Sequence, residues 1–208
     1  VPDQSRRIVL LRHGRTAWNA ARRIQGQLDP ELDDVGIAQA RAVAPALAAL
    51  EPALLWSSDL ARARQTADEV AKECGLTASY DQRLREFALG EYQGLTHAEL
   101  EARSAEAHER FHRDEWDGIP GAESVAEVAA RFVDALRDLV AELAAGETAV
   151  VVSHGASTRL GLVAFLGWPT RTAHDLRPLE NCSRIDLVEQ RPGQWALESY
   201  NFPAAVVA

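Results

Sequence analysis

Ile8-Val9-Leu10-Leu11-Arg12-His13-Gly14-Arg15-Thr16 is the stretch from which the fold can be read. Its first four residues form an unbroken apolar run, the pattern of a strand covered on both faces rather than one. Gly14 then permits a sharp backbone turn. Two guanidiniums and an imidazole therefore stand where a buried strand ends, and in open α/β sheets ligands bind at that edge. A neutral imidazole nitrogen can attack phosphorus while arginines neutralise the oxygens around it. A loop following an edge strand would show the same residues, so this run alone leaves both readings open.

Working outward, the order of elements points to one architecture. Thr16 to Ala21 reads as a short helix and Arg22 to Pro30 as a loop. Ile37, Ala40, Ala44, Leu47 and Leu50 recur at helical spacing behind a capping Asp33. Pro52 breaks the chain before a short strand, Leu54 to Ser57. A helix from Leu60 to about Lys72 follows, with Asp59 placed as its cap. Thr77 to Gly94 is irregular and charged, as functional loops often are. Thr96 with Glu99, and Ser124 with Glu127, are capping boxes. The first predicts a helix to about Arg110, and the second a long amphipathic helix that Gly146 stops. Thr148 to Val152 is a second fully apolar strand, followed by a helix from about Ser157 to Leu166. Ser183 to Val188 and Gln194 to Tyr200 alternate as strands do. The expectation is an α/β fold, a three-layer α/β/α sandwich around a mostly parallel central sheet. No linker divides the chain, so residues 1–208 are expected to form a single domain, with 77–121 inserted as a roof over the site.

Composition narrows the function classes. At 208 residues the chain is long enough to bury a substantial core. A net charge of −9 argues against a nucleic-acid partner, which needs a basic face. Arginines near the opening motif must then act as a local positive patch on an acidic background. No apolar run approaches the ~18 residues of a membrane span. No charged-then-apolar leader is present, and Cys74 and Cys182 lack Cys-x-x-Cys spacing, so reduced thiols and a cytoplasmic location are expected. The chain contains no methionine and begins at Val1, leaving a trimmed start and a non-ATG start both open.

A second histidine repeats the first arrangement. His154 follows an apolar strand, precedes Gly155 and opens a helix, whose unpaired N–H groups and partial positive charge favour an anion. If the two strands are neighbours, both imidazoles reach one ligand. Arg62 lies in the first turn of the helix after Asp59, where a cation opposes the helix dipole unless an anion sits nearby. The alternatives for Arg62 are solvent or a pair with Asp59, and Arg64 is expected to face solvent.

These residues resemble the signatures of a known family. Leu11-Arg12-His13-Gly14 with Thr16 and Asn19, Ser57-Ser58-Asp59-Leu60-Ala61-Arg62-Ala63 with Gln65-Thr66-Ala67, and Leu84-Arg85-Glu86 with Gly90-Glu91-Tyr92-Gln93-Gly94-Leu95-Thr96 are the first three. Gly121-Ala122-Glu123-Ser124 and Val151-Val152-Ser153-His154-Gly155 are the fourth and fifth. In order, over about Ile8 to Leu166, they resemble the motifs of the histidine phosphatase superfamily, which includes phosphoglycerate mutases. The resemblance implies a phosphoglycerate mutase-like fold and a phosphohistidine formed on His13. It implies that Arg12, Arg62 and a protonated His154 hold the phosphoryl oxygens, and that Glu86 moves the proton. Thr16, Asn19, Gln25, Gly26 and Gly155 would complete the substrate-binding pocket. Guanidiniums would supply the charge that magnesium supplies in kinases, so no metal and no other cofactor is implied. The structural rival is a His13/Glu86/His154 metal site, which Arg12 would oppose.

Three functions follow: a phosphatase of a small phosphorylated metabolite, a cofactor-dependent phosphoglycerate mutase, and a phospho-ligand-binding pseudo-enzyme. The run Phe87-Ala88-Leu89-Gly90 after Glu86 resembles the phosphatase branch, since the His-Tyr-Gly sequence and longer insertion of the mutases are missing. Ile24 to Asp29 and Gly94 to Ala98 resemble the family's glucosyl-3-phosphoglycerate phosphatases, and ribazole phosphatases share parts of the pattern. His97, His108, His112 and His174 match no motif and read as surface or helix-face histidines. Trp18, Trp56 and Trp168 read as core or rim, and Trp116 as a residue above the pocket. The two closing strands and the tail from Phe202 to Ala208 could pair across a homodimer or close over the pocket.

Overall fold

The computed structural model describes residues 5–203. Six strands form one sheet in the order β3-β2-β4-β1-β5-β6. They are β1 (Arg7–Arg12), β2 (Leu54–Ser57), β3 (Ser79–Tyr80), β4 (Thr148–Ser153), β5 (Arg184–Arg191) and β6 (Gln194–Phe202). β1, β2, β3 and β4 run parallel, while β5 and β6 are antiparallel additions at one side. The apolar runs in β1 and β4 belong to the two middle strands, where both faces are covered. Ile8, Leu10, Ala149 and Val151 point to one face, and Val9, Leu11, Val150 and Val152 to the other.

Helices cover those two faces. α2 (Asp34–Ala48) and α3 (Ala61–Cys74) place Ala40, Val43, Ala44, Leu47, Ala63, Ala67 and Val70 against one. α6 (Val125–Glu142) and α7 (Gly155–Phe165) place Phe132, Leu136, Leu139 and Leu162 against the other. At roughly 1.5–3 kcal/mol for each fully buried aliphatic or Phe side chain, these two layers are the main favourable contribution to the fold. A third apolar cluster, built on Ile24, Phe87, Leu89, Leu100, Trp116 and Ile119, lies beside the sheet and packs on Val128 and Leu160.

Several local readings need correction. α3 begins at Ala61 with Leu60 as a cap that makes no side-chain hydrogen bond. Asp29 reaches across to accept from the Ala61 N–H at 2.6 Å, while Asp59 is turned to Arg85 at 2.6 Å. A carboxylate from a distant loop thus replaces the local cap. The helix after Thr96 is broken into α4 (His97–Arg103) and α5 (Ala105–His112), because Ser104 is extended and its hydroxyl caps Ala107. α6 stops at Glu142, four residues before Gly146. α7 starts at Gly155, immediately after His154. Gly14 has no left-handed φ; its role is close approach, since a Cβ there would lie 2.4 Å from the Gly36 carbonyl oxygen. The short helices α1 (Ala17–Ala20) and α8 (Thr172–Asp175) complete the elements. Among the described residues no helix is long and apolar enough to cross a membrane. β6 is an edge strand, and the tail beyond residue 203 lies outside the described residues.

Candidate active site

The two histidines meet because β1 and β4 are parallel neighbours in register, Arg12 opposite Ser153. Each strand delivers its next residue to the same sheet edge, and the His13 and His154 rings stand edge to face with centroids 5.1 Å apart. β2 borders β4 on its other side and brings in α3, with Arg62 in its first turn. Arg62 neither reaches solvent nor pairs with Asp59. It is fully buried and donates to the carbonyls of Gly26 at 2.7 Å and Leu28 at 2.8 Å. Arg12 donates from Nη1 to the Leu179 carbonyl.

His13 is held in one tautomer. Its Nδ1 lies 2.6 Å from the Gly14 carbonyl oxygen, which can only accept, so Nδ1 carries the proton and Nε2 presents a bare lone pair in the neutral ring. Burial, followed by the charges of Arg62 and Arg12, pushes the His13 pKa well below that of an ordinary histidine. Burial and Arg62 do the same to His154. A folded-state pKa below the ordinary value keeps each ring neutral as pH falls through about 6.5. The protonated His154 that the motif implies is therefore not the form this environment favours; a substrate dianion has to supply the opposing charge. Imidazole ¹⁵N NMR of the ligand-free protein at pH 6 should show both rings neutral, with the proton of His13 on Nδ1. An imidazolium signal from His13 at that pH would contradict the assignment.

The pocket is electropositive against an acidic whole. Arg12, Arg62, Arg23 and Arg159 line it, and among the described residues Glu86 is the one carboxylate on its wall. Burial pushes the Arg62 pKa down to about 10 and lowers that of Arg12 as well, the mark of cations kept from water. Arg12 Nε, Arg62 Nε and His154 Nδ1 are buried with no hydrogen-bond partner. Unpaired buried guanidinium donors are costly, and an anion that reached Arg12 and Arg62 would satisfy both together.

Glu86 reaches the same edge by another route. Its carboxylate sits at the start of α7, where Oε2 accepts from Gly155 N at 3.0 Å and Ala156 N at 3.2 Å. Oε1 accepts from Ser157 N at 2.8 Å and Phe87 N at 2.9 Å. Four backbone N–H donors converge on the Glu86 side chain and fix it at the start of α7. The loop that carries Glu86 is clamped. Arg131 donates to the carbonyls of Arg83, Arg85 and Glu86 and pairs with Glu123 at 2.7 Å, while Glu123 accepts from Ala88 N. Arg85 bonds Asp59 with two nitrogens, tying the same loop to the end of β2.

Most of the residues singled out by sequence converge here. Arg12, His13, Asn19, Gln25, Gly26, Arg62, Glu86 and Gly155 line the cavity, and His154 is in ring contact with His13. Thr16 does not line it: it is fully buried as the cap of α1, exchanging hydrogen bonds with Asn19. Gly26 has φ +50° and leaves room for Gln93 Oε1, which accepts from Gln27 N and Leu89 N. Arg15 is outside the site and pairs with Asp33 at 2.9 Å. Trp116 lies on the wall as expected, with Leu89 and Phe111 beside it. Sequence reasoning missed Arg131, Asn181 and Arg159. Asn181 donates to the His13 carbonyl at 3.0 Å from a loop 168 residues downstream. No spacing signal ties it to the motif. Arg131 lay on the polar flank of an ordinary amphipathic helix, and only its position relative to Glu123, eight residues earlier, could have flagged it.

The His13/Glu86/His154 metal rival finds no support in this geometry. Among the described residues, the one group of three or more His, Cys, Asp or Glu ligand atoms that converges is His97, His108 and His112. Those three are therefore not independent surface histidines, whereas His174 is exposed.

A mostly parallel sheet whose edge presents an imidazole among buried guanidiniums has the chemistry of a phosphoryl-transfer site. The chain matches the histidine phosphatase superfamily (branch 1) over residues 8–203, and it belongs to that family. It is a phosphoric monoester hydrolase. It is 38% identical, over 98% of its length and 97% of the relative's, to the glucosyl-3-phosphoglycerate phosphatase of Mycobacterium tuberculosis. It is 39% identical, over 92% of its length and 91% of the relative's, to a probable phosphoglycerate mutase, GpmB, of Yersinia pestis. Among solved structures it superposes on a mycobacterial glucosyl-3-phosphoglycerate phosphatase complexed with VO3. The TM-score is 0.89 at 36% identity, covering 95% of this chain and 99% of the other.

Proposed function

We propose that the protein hydrolyses a small phosphorylated sugar acid, glucosyl-3-phosphoglycerate, through a phosphohistidine on His13. The observation that carries the chemistry is the His13 tautomer, with Nδ1–H on the Gly14 carbonyl and Nε2 bare beside two arginines. Nε2 attacks phosphorus as the P–O ester bond breaks, and the leaving oxygen takes a proton from Glu86. Water then attacks the phosphohistidine, the P–N bond breaks, and Glu86 accepts the proton of that water. Arg12 and Arg62 neutralise the phosphoryl oxygens, and His154, Asn19, Gln25 and Gly26 frame them. No step requires a metal.

The substrate reading rests on the wall above the phosphate position and on the mycobacterial relative. Arg23 and Arg159, paired with Glu99 and Asp114, extend the wall beyond Arg12 and Arg62 toward a glycerate carboxylate, and Leu89, Phe111 and Trp116 offer apolar surface for a sugar ring. We read residues 77–121 as a segment that roofs this cavity within a single domain. The free thiols of Cys74 and Cys182 fit a cytoplasmic setting. A comparison of kcat/KM across glucosyl-3-phosphoglycerate, 3-phosphoglycerate and α-ribazole phosphate, with a bisphosphoglycerate-dependent mutase assay beside it, tests the reading. The glucosylated ester should have the highest kcat/KM. Preference for either of the others, or mutase turnover exceeding hydrolysis, would overturn it.

A further inference from the structure

His97, His108 and His112 form a cluster that the phosphatase chemistry does not use. His97 is the first residue of α4, while His108 and His112 are one turn apart on the same face of α5. One ring nitrogen from each lies within 4.8 Å of the others, and the Nε2 atoms of His108 and His112 are 2.9 Å apart. The ring of His97 stands 5.0 Å from that of His112 and 6.3 Å from that of His108. Two helices that meet at a single extended residue, Ser104, thus aim three imidazoles at one point.

We propose that these three histidines bind one divalent transition metal of the zinc type, with the fourth position left to water. Tetrahedral coordination at about 2.0–2.1 Å places ligand nitrogens about 3.3 Å apart. His112 is exposed and the other two are half-buried, so side-chain rotation covers the difference. Three imidazoles without a carboxylate favour zinc, nickel or copper over magnesium or calcium, which take oxygen ligands. Glu101 and Arg22 line the same opening, one acidic and one basic. The catalytic cavity, by contrast, is lined by arginines and repels a cation.

The metal ties the start of α4 to the end of α5. His97 and Phe111 also line the catalytic cavity, and Phe111 meets His97 edge to face at 5.6 Å and lies tilted against Trp116 at 6.0 Å. Crosslinking the two helices therefore stiffens one wall of the substrate pocket without entering the phosphate site.

The test uses the full chain without an affinity tag, stripped with EDTA and desalted. Calorimetric titration with Zn²⁺ should show one equivalent per chain, Mg²⁺ should show none, and Co²⁺ should give the visible absorption of a tetrahedral site. The H108A/H112A variant, which removes two of the three ligands, should weaken Zn²⁺ binding by at least about 100-fold and abolish the Co²⁺ band. Its hydrolysis of p-nitrophenyl phosphate in EDTA should equal that of the parent, because neither side chain lines the catalytic cavity. Thermal unfolding of the parent, but not of the variant, should shift upward with Zn²⁺. Zn²⁺ affinity unchanged in the variant, or no Zn²⁺ bound by the parent, would overturn the proposal.

Discussion

Replacing His13 with alanine is expected to lower kcat by at least about 10⁴-fold, the scale on which removal of a catalytic nucleophile acts. The neighbouring His154 does not replace it, since its Nε2 is engaged by Ser58 at 2.8 Å. Arg12 and Arg62 are anchored by carbonyls of Leu179, Gly26 and Leu28, none of which depends on His13. The H13A variant should therefore still bind inorganic phosphate. Its loss of turnover would then report on bond formation and not on collapse of the site. The buried Gly14 carbonyl does lose its partner, at about 1–3 kcal/mol, so a modest fall in thermal midpoint should accompany the kinetic effect. In the parent enzyme, rapid quench with radiolabelled substrate should trap a protein-bound phosphate that survives base and is lost in acid. Full activity of H13A, or the absence of such a species under single-turnover conditions, would remove His13 as the nucleophile.

The second large effect concerns Glu86. Changing it to glutamine should slow hydrolysis of a sugar or alkyl phosphate by about 10²–10³-fold, within the usual range for a positioned proton donor. The amide also disturbs placement. Its NH₂ cannot accept, so two of the four backbone N–H groups that now meet the carboxylate lose their partner. Misplacement acts on every substrate alike, whereas proton donation matters only when the leaving oxygen is basic. p-Nitrophenyl phosphate leaves without a proton, so E86Q should slow it by less than about tenfold. Equal slowing of the two esters would show that Glu86 only positions the start of α7.

How these residues came to be legible differs from case to case. Arg12, His13 and His154 could be read because a buried parallel strand announces itself as a continuous apolar run, and the residue after it has few places to go. The capping boxes at Thr96 and Ser124 were legible for a similar reason, since each is a hydrogen-bond pattern closed within four residues. Asp59 was misread by that same local logic. Its helix is capped by Asp29 from another loop, and its carboxylate is spent on Arg85. Thr16 was assigned to the pocket from its place in a motif, whereas its hydroxyl is consumed in capping α1.

Periodicity and local capping, which are encoded over a few residues, were enough for the α/β architecture and the sheet edge that carries the chemistry, while the phosphoryl-transfer class followed from the resemblance of five short motifs to those of the histidine phosphatases. The pairing of β1 with β4, the contact that sets the His13 tautomer, the burial that lowers the His154 pKa and the clamp of Arg131 on the Glu86 loop came only with the tertiary structure. It also decided that His97, His108 and His112 meet. Each of these depends on desolvation or on contacts between segments far apart in the chain. Burial and long-range hydrogen bonds set the charge and direction of a side chain, and neither is written in the residues beside it.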